Sequence, residues 1–359
     1  MPSAQKISHN QHLSLVNDYE AAASLANLLY VSDMEPGIIR KKAGKGFSYQ
    51  FQQKVIREKS FISRIKKLSI PPAWTAVWIC AKDNGHIQAT GFDNKKIKQY
   101  RYHPLWTVLR NETKFHKMTE FAKALPALRL QLEKDLALKE LCEKKVIAAV
   151  IALMERTYIR IGNSSYEKMY GSYGLTTLHD KHVAITGTEI KFSFKGKKSI
   201  VHNISLRNKK LAAIVKGCRD IPGKELFQYY DANGDKKSVD SGIVNSYIKT
   251  VTGSLFTAKD FRTWAGCLHF LLACSSSNKI AALPRKAPVN ELLDEVSRQL
   301  GNTRLVCRKY YVHPGIIRMY EEDTLLPYLN ELDDIEKDDN IAGLTRQEKI
   351  LMKLLQKIM

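Results

Sequence analysis

The spacing of apolar and polar positions changes character along this chain. Residues 18–30, DYEAAASLANLLY, place apolar side chains at helical intervals and predict a short helix after a polar stretch, 1–17, expected to fray. VSDMEPGIIRKKAGKGFSYQ, broken by Pro36, Gly37, Gly44 and Gly46, reads as strands and loops with a basic face. A helix over 60–70 is closed by Pro71-Pro72. TAVWICAKDNGHIQATGFDNKKIKQYRYH alternates as strands do, with Asp83-Asn84-Gly85 as a hairpin turn. Residues 1–108 therefore predict a small sheet-rich domain.

From about residue 109 the period becomes helical. Helices are predicted over 114–158, interrupted at Pro126, the last running from Lys144 to Tyr158 and capped near Gly162-Asn163, with Arg160 at its exit. In EIKFSFKGKKSIVHNISL, Ile190, Phe192 and Phe194 share one face and Lys191, Ser193 and Lys195 the other; Gly196-Lys197-Lys198 makes the turn of a hairpin and projects Lys197. Thr257-Ala258-Lys259-Asp260 has the form of a capping box, which would put Arg262 in a helix's first turn, where free N–H groups and the guanidinium make an anion site. The serines at 275–277 read as a loop or short linker. An acidic loop, ELDDIEKDD, precedes Thr345-x-x-Glu348, the cap of a terminal helix whose Ile350, Leu351, Leu354, Leu355 and Ile358 are expected to pack onto the domain. The fold class is α+β: a small N-terminal sheet-rich domain, 1–108, and a larger, mostly α-helical domain, 109–359.

Composition narrows the function. At 359 residues and 44% hydrophobic, the chain can bury a core and is not globally disordered. A formal net charge of +21 points to a polyanionic partner, nucleic acid before an anionic membrane, and no stretch approaches the ~20 apolar residues of a span. The N-terminus MPSAQKISHNQHLSL lacks a secretory pattern, so an intracellular protein is expected. Cys80, Cys142, Cys218, Cys267, Cys274 and Cys307 form no C-x-x-C pair, so neither zinc nor a disulfide framework is indicated, and Cys307 reads as a small buried apolar residue. Gly44-Lys45-Gly46 is too short for a phosphate-cradling loop, and DANGD at 231–235 meets Gly242 where a calcium loop needs Glu. Neither nucleotide nor metal is expected. Two basic stretches suit a phosphate backbone: Arg40, Lys41, Lys42 and Lys45, and 95–103, which mixes Lys95, Lys96, Lys98 and Arg101 with Tyr100 and Tyr102.

The chemistry concentrates in 300–314, LGNTRLVCRKYYVHP. A tyrosine hydroxyl, with its pKa of ~10, is a weak nucleophile at neutral pH, but set among fixed cations it can attack a phosphodiester while those cations stabilise the growing charge. The chain has 16 tyrosines, most of them packing residues, and residue type alone leaves Tyr310 and Tyr311 equal candidates. Arg160, Lys197, Arg262 and Asn302 precede them in order.

That order resembles the type IB DNA topoisomerases, in particular their short poxvirus, giant-virus and bacterial branch. The motifs are IRIGN (159–163), YGLTTLHDKHV (173–183), FKGKKS (194–199), KDFRTW (259–264) and LGNTRLVCRKYYVHP, with IIRKKAGKGFSY, IPPAW and QATGFD…KQYRYHP in the first domain. By position the resemblance implies Arg160 and Arg262 as the two catalytic arginines, Lys197 as the catalytic lysine and Asn302 in a slot that is His in the poxvirus enzymes. It implies Tyr311 as the nucleophile, two residues before His313-Pro314, and DNA contacts at Gln99, Tyr100, Tyr102 and Tyr166. Lysine can give up a proton to the departing 5′-oxygen, whereas guanidiniums bind the non-bridging oxygens bidentately. The expected activity is relaxation of duplex DNA, by a monomer clamping it between two domains, through a 3′-phosphotyrosyl intermediate without ATP or metal. A tyrosine recombinase is the alternative, although recombinases usually carry His where this chain has Lys259 and Asn302. A non-catalytic basic DNA-binding module is the third reading.

Overall fold

The structure is a computed structural model and describes residues 7–280, 287–332 and 342–359. The chain divides into two compact units, residues 1–117 and 118–359. The division lies nine residues past the boundary expected at 108/109, within the long helix α4 described below.

The first unit begins with α1 (His9–Ser14) and α2 (Tyr19–Leu25). The polar N-terminal stretch, expected to fray, is corrected from residue 8 onward. Ser8 and Gln11 form a capping box, and Leu15 is buried with Ala22, Ala23, Leu28, Trp106 and Leu109. A few apolar anchors are enough to order a polar segment when they reach an existing cluster. Strands β1 (Ile38–Ala43), β2 (Gly46–Phe51) and β3 (Lys54–Val55) follow, then α3 (Lys59–Lys67) and β4 (Thr75–Ile79), β5 (Ile87–Phe92) and β6 (Lys98–Tyr102). They make one antiparallel sheet, ordered β3-β2-β1-β4-β5-β6. Its core is Ile38, Val77, Ile79 and Ala89, covered by Ile65 of α3. β4 and β5 form the expected hairpin, with a turn at Asp83-Asn84 inside a connection over 80–86 in which the Gln88 amide donates to the carbonyls of Asp83 and Gly85.

Helix α4 (Pro104–Leu136) is continuous through Pro126, correcting the predicted interruption. Phe121, Leu125 and Leu128 are buried around it, and this packing offsets the N–H that proline lacks. In the second unit α5 (Glu143–Thr157) is buried at every position from 146 to 154. It ends on Tyr158, in the left-handed region at φ 55°, not at Gly162-Asn163; Asn163 instead caps the start of α6 (Ser164–Tyr170). Then comes a three-stranded antiparallel sheet of β7 (Val183–Thr186), β8 (Glu189–Lys195) and β9 (Val201–Arg207). The β8 face alternates as predicted: Ile190, Phe192 and Phe194 are buried, Lys191, Ser193 and Lys195 exposed. After α7 (Lys209–Arg219), the pair β10 (Gln228–Tyr230) and β11 (Lys236–Ser238) closes on the DANGD turn, whose Asp231 carboxylate accepts from the amides of Asn233 and Asp235.

The rest is helical: α8 (Ser241–Thr252), α9 (Ala258–Ile280), α10 (Val289–Leu300), α11 (Arg304–Tyr310), α12 (Pro314–Glu321), α13 (Leu326–Asn330) and α14 (Arg346–Ile358). The serines at 275–277 are not a linker but part of α9. Most of the acidic loop lies outside the described residues. The terminal capping box is present, Thr345 with Glu348, and Ile350, Leu351, Leu354 and Leu355 are buried as expected. Glu348 reaches further. Its carboxylate pairs with Arg129 at 2.7 Å and accepts from Trp264 Nε1 at 3.1 Å. Burial pushes that carboxyl up, but Arg129 more than reverses the effect and holds it below its usual range. Thus α14 braces α9 two residues beyond Arg262. Among the described residues no helix is long and apolar enough to cross a membrane.

Candidate active site

Three local features bring four of the five predicted groups together. The first is the left-handed Tyr158, whose backbone swings the chain out of α5 so that its carbonyl meets Arg262 Nη1 and Arg160 follows two residues later. The second is Gly301, left-handed at φ 55°, which ends α10 and turns the chain to present Asn302. The third is the end of α11, where Tyr311 leaves the helix and His313-Pro314 starts α12, the His313 ring accepting from the Gly315 amide.

Around these turns Arg160 Nη2 donates to Asn302 Oδ1 and to the Gly301 carbonyl at 3.2 Å. Arg262 is 5% exposed; its Nη2 donates to the Leu300 carbonyl at 2.6 Å, and its guanidinium carbon lies 5.5 Å from the Tyr311 ring centre. Burial, then the neighbouring Arg262, pull Arg160 down to about 10, against the opposing influence of Tyr311 and Cys307. It stays protonated at neutral pH, and an anion beside it would favour the charged form further. Two donors here are buried with no partner, Arg262 Nε and Asn302 Nδ2. Buried donors are rarely left unpaired, and such orphans beside two guanidiniums fit an oxyanion supplied from outside.

The α9 N-terminus is not the expected anion site. Asp260 occupies it, its carboxylate accepting from the Thr257 amide at 2.8 Å and hydroxyl at 3.0 Å, and Arg262 points instead at carbonyls of other elements. An internal carboxylate and an external anion compete for the same positive helix end.

Lys197 is not gathered into the cluster. It stands exposed on the β8–β9 turn, its Nζ 5.9 Å from the ring centre of Tyr166 on α6. The loop YGLTT joins the two regions. Leu175 donates to the Arg160 carbonyl at 2.8 Å, Thr176 to that of Ile161 at 2.7 Å and Tyr173 to that of Lys195 at 2.8 Å. Gly174 permits this, since a Cβ there would come within 2.5 Å of the Arg160 carbonyl. Gly266 on α9 plays the same part for Tyr311: a Cβ would lie 2.6 Å from the tyrosine's own Cβ. Sequence reasoning passed over both glycines. A lone glycine inside a helix, disfavoured by about 1 kcal/mol against alanine, was the signal for Gly266. The tyrosine pair is separated: Tyr311 is half-buried against Arg262, while Tyr310 is 39% exposed beside Lys309.

In the first unit the basic residues divide. Lys41 and Lys45 are exposed. Arg40 is spent on structure: it donates to the carbonyls of Pro71 at 3.1 Å and Trp74 at 2.6 Å and lies 4.2 Å over the Phe47 ring. Tyr100 and Tyr102 stack at 5.8 Å and are about half exposed. Gln99 and Arg101 alternate onto the other face of β6, Gln99 bonded to Asp93 at 2.9 Å and Arg101 to the Ser69 carbonyl at 2.9 Å. Lys41→Ala and Lys45→Ala are expected to lower the salt slope of duplex binding by roughly 0.9 each. Arg40→Ala is expected instead to lower stability by on the order of 1 kcal/mol, through carbonyls left without donors. Salt titration of binding and denaturant unfolding separate the two effects.

Comparison with known proteins gives a consistent placement. Residues 94–334 match the family described as eukaryotic DNA topoisomerase I, catalytic core, and residues 46–93 match the bacterial DNA topoisomerase IB N-terminal domain. DNA topoisomerase 1B of Acanthamoeba polyphaga mimivirus is 33% identical over 80% of this chain and 88% of its own length. DNA topoisomerase 1B of vaccinia virus (strain Copenhagen) is 24% identical over 67% and 74%. DNA topoisomerase 1 of rabbit fibroma virus (strain Kasza) is 22% identical over 71% and 78%. The matches do not favour a tyrosine recombinase. With two thirds of the chain inside the catalytic-core family and a relative at this identity, the chain belongs to the type IB DNA topoisomerases.

Proposed function

We propose that this topoisomerase cleaves one DNA strand with Tyr311 and holds the reacting phosphate on Arg160, Arg262 and Asn302. The observation that carries the reading is the pair of buried, unpartnered donors, Arg262 Nε and Asn302 Nδ2, beside the half-buried Tyr311. In the reaction the Tyr311 oxygen bonds to phosphorus as its proton leaves, and the bond from phosphorus to the 5′-oxygen breaks. Lys197 protonates that oxygen. The guanidiniums and the Asn302 amide bind the non-bridging oxygens, where charge accumulates. The phosphotyrosine ester is close in energy to the diester it replaces, so the reverse attack reseals the strand with neither ATP nor metal. One chain supplies all five groups, which supports a monomer. Both units contact the duplex, through Lys41, Lys45, Tyr100 and Tyr102 in the first and Tyr166 in the second.

The test is to trap the covalent complex on a defined duplex in EDTA without nucleotide, map the break and identify the modified residue. The expected adduct is a 3′-phosphate on Tyr311. A 5′-linked adduct, strict dependence on a divalent metal, or binding with no nicking at all would refute the reading.

A further inference from the structure

Lys197 stands on a lightly braced turn. Lys198 and Ser199 both have positive φ, at 61° and 62°, and Lys197 itself is exposed. Besides the approach of Lys197 to the Tyr166 ring, two contacts among the described residues bear on how this hairpin is seated. One is the backbone bond from Tyr173 to the Lys195 carbonyl. The other is His202.

His202 faces Phe194 across the β8–β9 ladder, and the two rings stack at 5.1 Å and 18°. The imidazole edge then fills the space between two glycines. A Cβ on Gly196 would lie 2.7 Å from its Cδ2 and Nε2, and a Cβ on Gly301 would lie 2.2 Å from its Cε1. Gly196 immediately precedes Lys197, and Gly301 immediately precedes Asn302. The Gly301 carbonyl and the Asn302 side chain are in turn what Arg160 grips. One ring therefore links the lysine turn, the asparagine turn and the first arginine. A branched aliphatic side chain is too thick for such a slot, and a lysine or arginine would add a cation beside two guanidiniums. Burial, then Arg160 and Arg262, hold His202 below the ordinary histidine range and favour the neutral ring.

We propose that His202 is a positioning residue for the leaving-group step: it seats the Lys197 turn on the Gly301-Asn302 turn and so sets where the lysine ammonium meets the departing 5′-oxygen. This rests on the reading of Lys197 as the proton donor.

Single-turnover cleavage of an ordinary duplex and of one carrying a 5′-bridging phosphorothiolate tests it, with Lys197→Ala measured in parallel. Sulfur leaves with little proton assistance. His202→Ala is expected to slow the ordinary substrate by about 100-fold, the effect of a misplaced catalytic group, and to recover to within a few-fold of wild type on the thiolate. That recovery also shows the variant is folded. Unchanged rates on both substrates overturn the proposal. Equal slowing on both, with Lys197→Ala still selective, also overturns it and leaves His202 a packing residue. Loss of selectivity in Lys197→Ala itself overturns the proton-donor reading and this proposal with it. If His202→Ala does not fold, Gly196→Ala decides, because it keeps the imidazole but drives a methyl into it. The same selective loss is expected there, and equal slowing or unchanged rates overturn the proposal.

Discussion

Tyr311→Phe is expected to abolish relaxation and covalent trapping together, with strand cleavage slowed at least about 10,000-fold, while non-covalent duplex binding stays nearly intact. The substitution removes one oxygen and leaves the ring, and the ring is what the protein packs. It lies 5.5 Å from the Arg262 guanidinium, and its backbone sits in the space left by Gly266, the Tyr311 carbonyl accepting from Cys267 Sγ at 3.3 Å. None of those contacts uses the hydroxyl, so the fold and the anion-binding donors should survive. Tyr310→Phe is the control. Tyr310 stands at the surface on the last turn of α11, and its variant should relax DNA at near the wild-type rate. Residual trapping in Tyr311→Phe, or its loss in Tyr310→Phe, would move the nucleophile to the neighbouring residue.

The separation of those two tyrosines shows what the sequence could and could not reveal. Residue type left them equal, and the resemblance chose by distance from His313-Pro314. The structure adds a physical difference, because the chain leaves α11 at Tyr311 and turns it inward. Elements with a clean period were legible: the β8 face, the first sheet, and the α14 stripe with its Thr345–Glu348 cap. The misses share a cause, which is tertiary packing overriding a local signal. Pro126 stays inside α4 because its neighbours are buried, and α9 runs on through the 275–277 serines from a buried stretch that ends at Ser275. Tyr158 adopts a left-handed conformation that tyrosine seldom takes, and no composition rule would have placed the end of α5 there. Arg40 read as a phosphate contact because its neighbours are basic, and only the fold shows that its donors face inward.

The orientation of the two arginines follows from the same packing. Each guanidinium is held by groups of the chain itself, Arg262 by the carbonyls of Tyr158 and Leu300 and Arg160 by the Gly301-Asn302 turn. Carbonyls are weak partners for a full charge, but they fix the plane of the fork. Among the described residues, Arg262 Nε and the amide nitrogen of Asn302 are the buried donors of this cluster left without a partner. Asn302 can accept from Arg160 through its oxygen and donate to phosphate through its nitrogen at once. A protonated histidine in that slot would add a charge against Arg160, so the asparagine suits a site in which burial already pulls Arg160 down to about 10.

Lys197→Ala carries the second large effect and bears on mechanism. The protonated amine is expected to donate to the 5′-oxygen as it leaves, a contribution of about 100- to 10,000-fold for a well-placed general acid. The ordinary duplex should therefore be cleaved slower by that factor. The 5′-bridging phosphorothiolate should recover most of the rate. Arg262→Ala should stay slow on both substrates, because the charge it would stabilise sits on the non-bridging oxygens and sulfur at the bridging position leaves them in place. Arg160, proposed to bind those oxygens as well but with its charged form disfavoured by burial, should show partial recovery if it helps pass the proton. The position of Lys197 makes the experiment informative. Its Nζ lies 5.9 Å from the Tyr166 ring, on an exposed turn that also carries Lys195 and Lys198, where a solvated residue of no chemical consequence would look the same. A solvated lysine predicts normal cleavage of both substrates after substitution, and an electrostatic stabiliser predicts equal slowing on both. Only a proton donor predicts a defect that sulfur repairs.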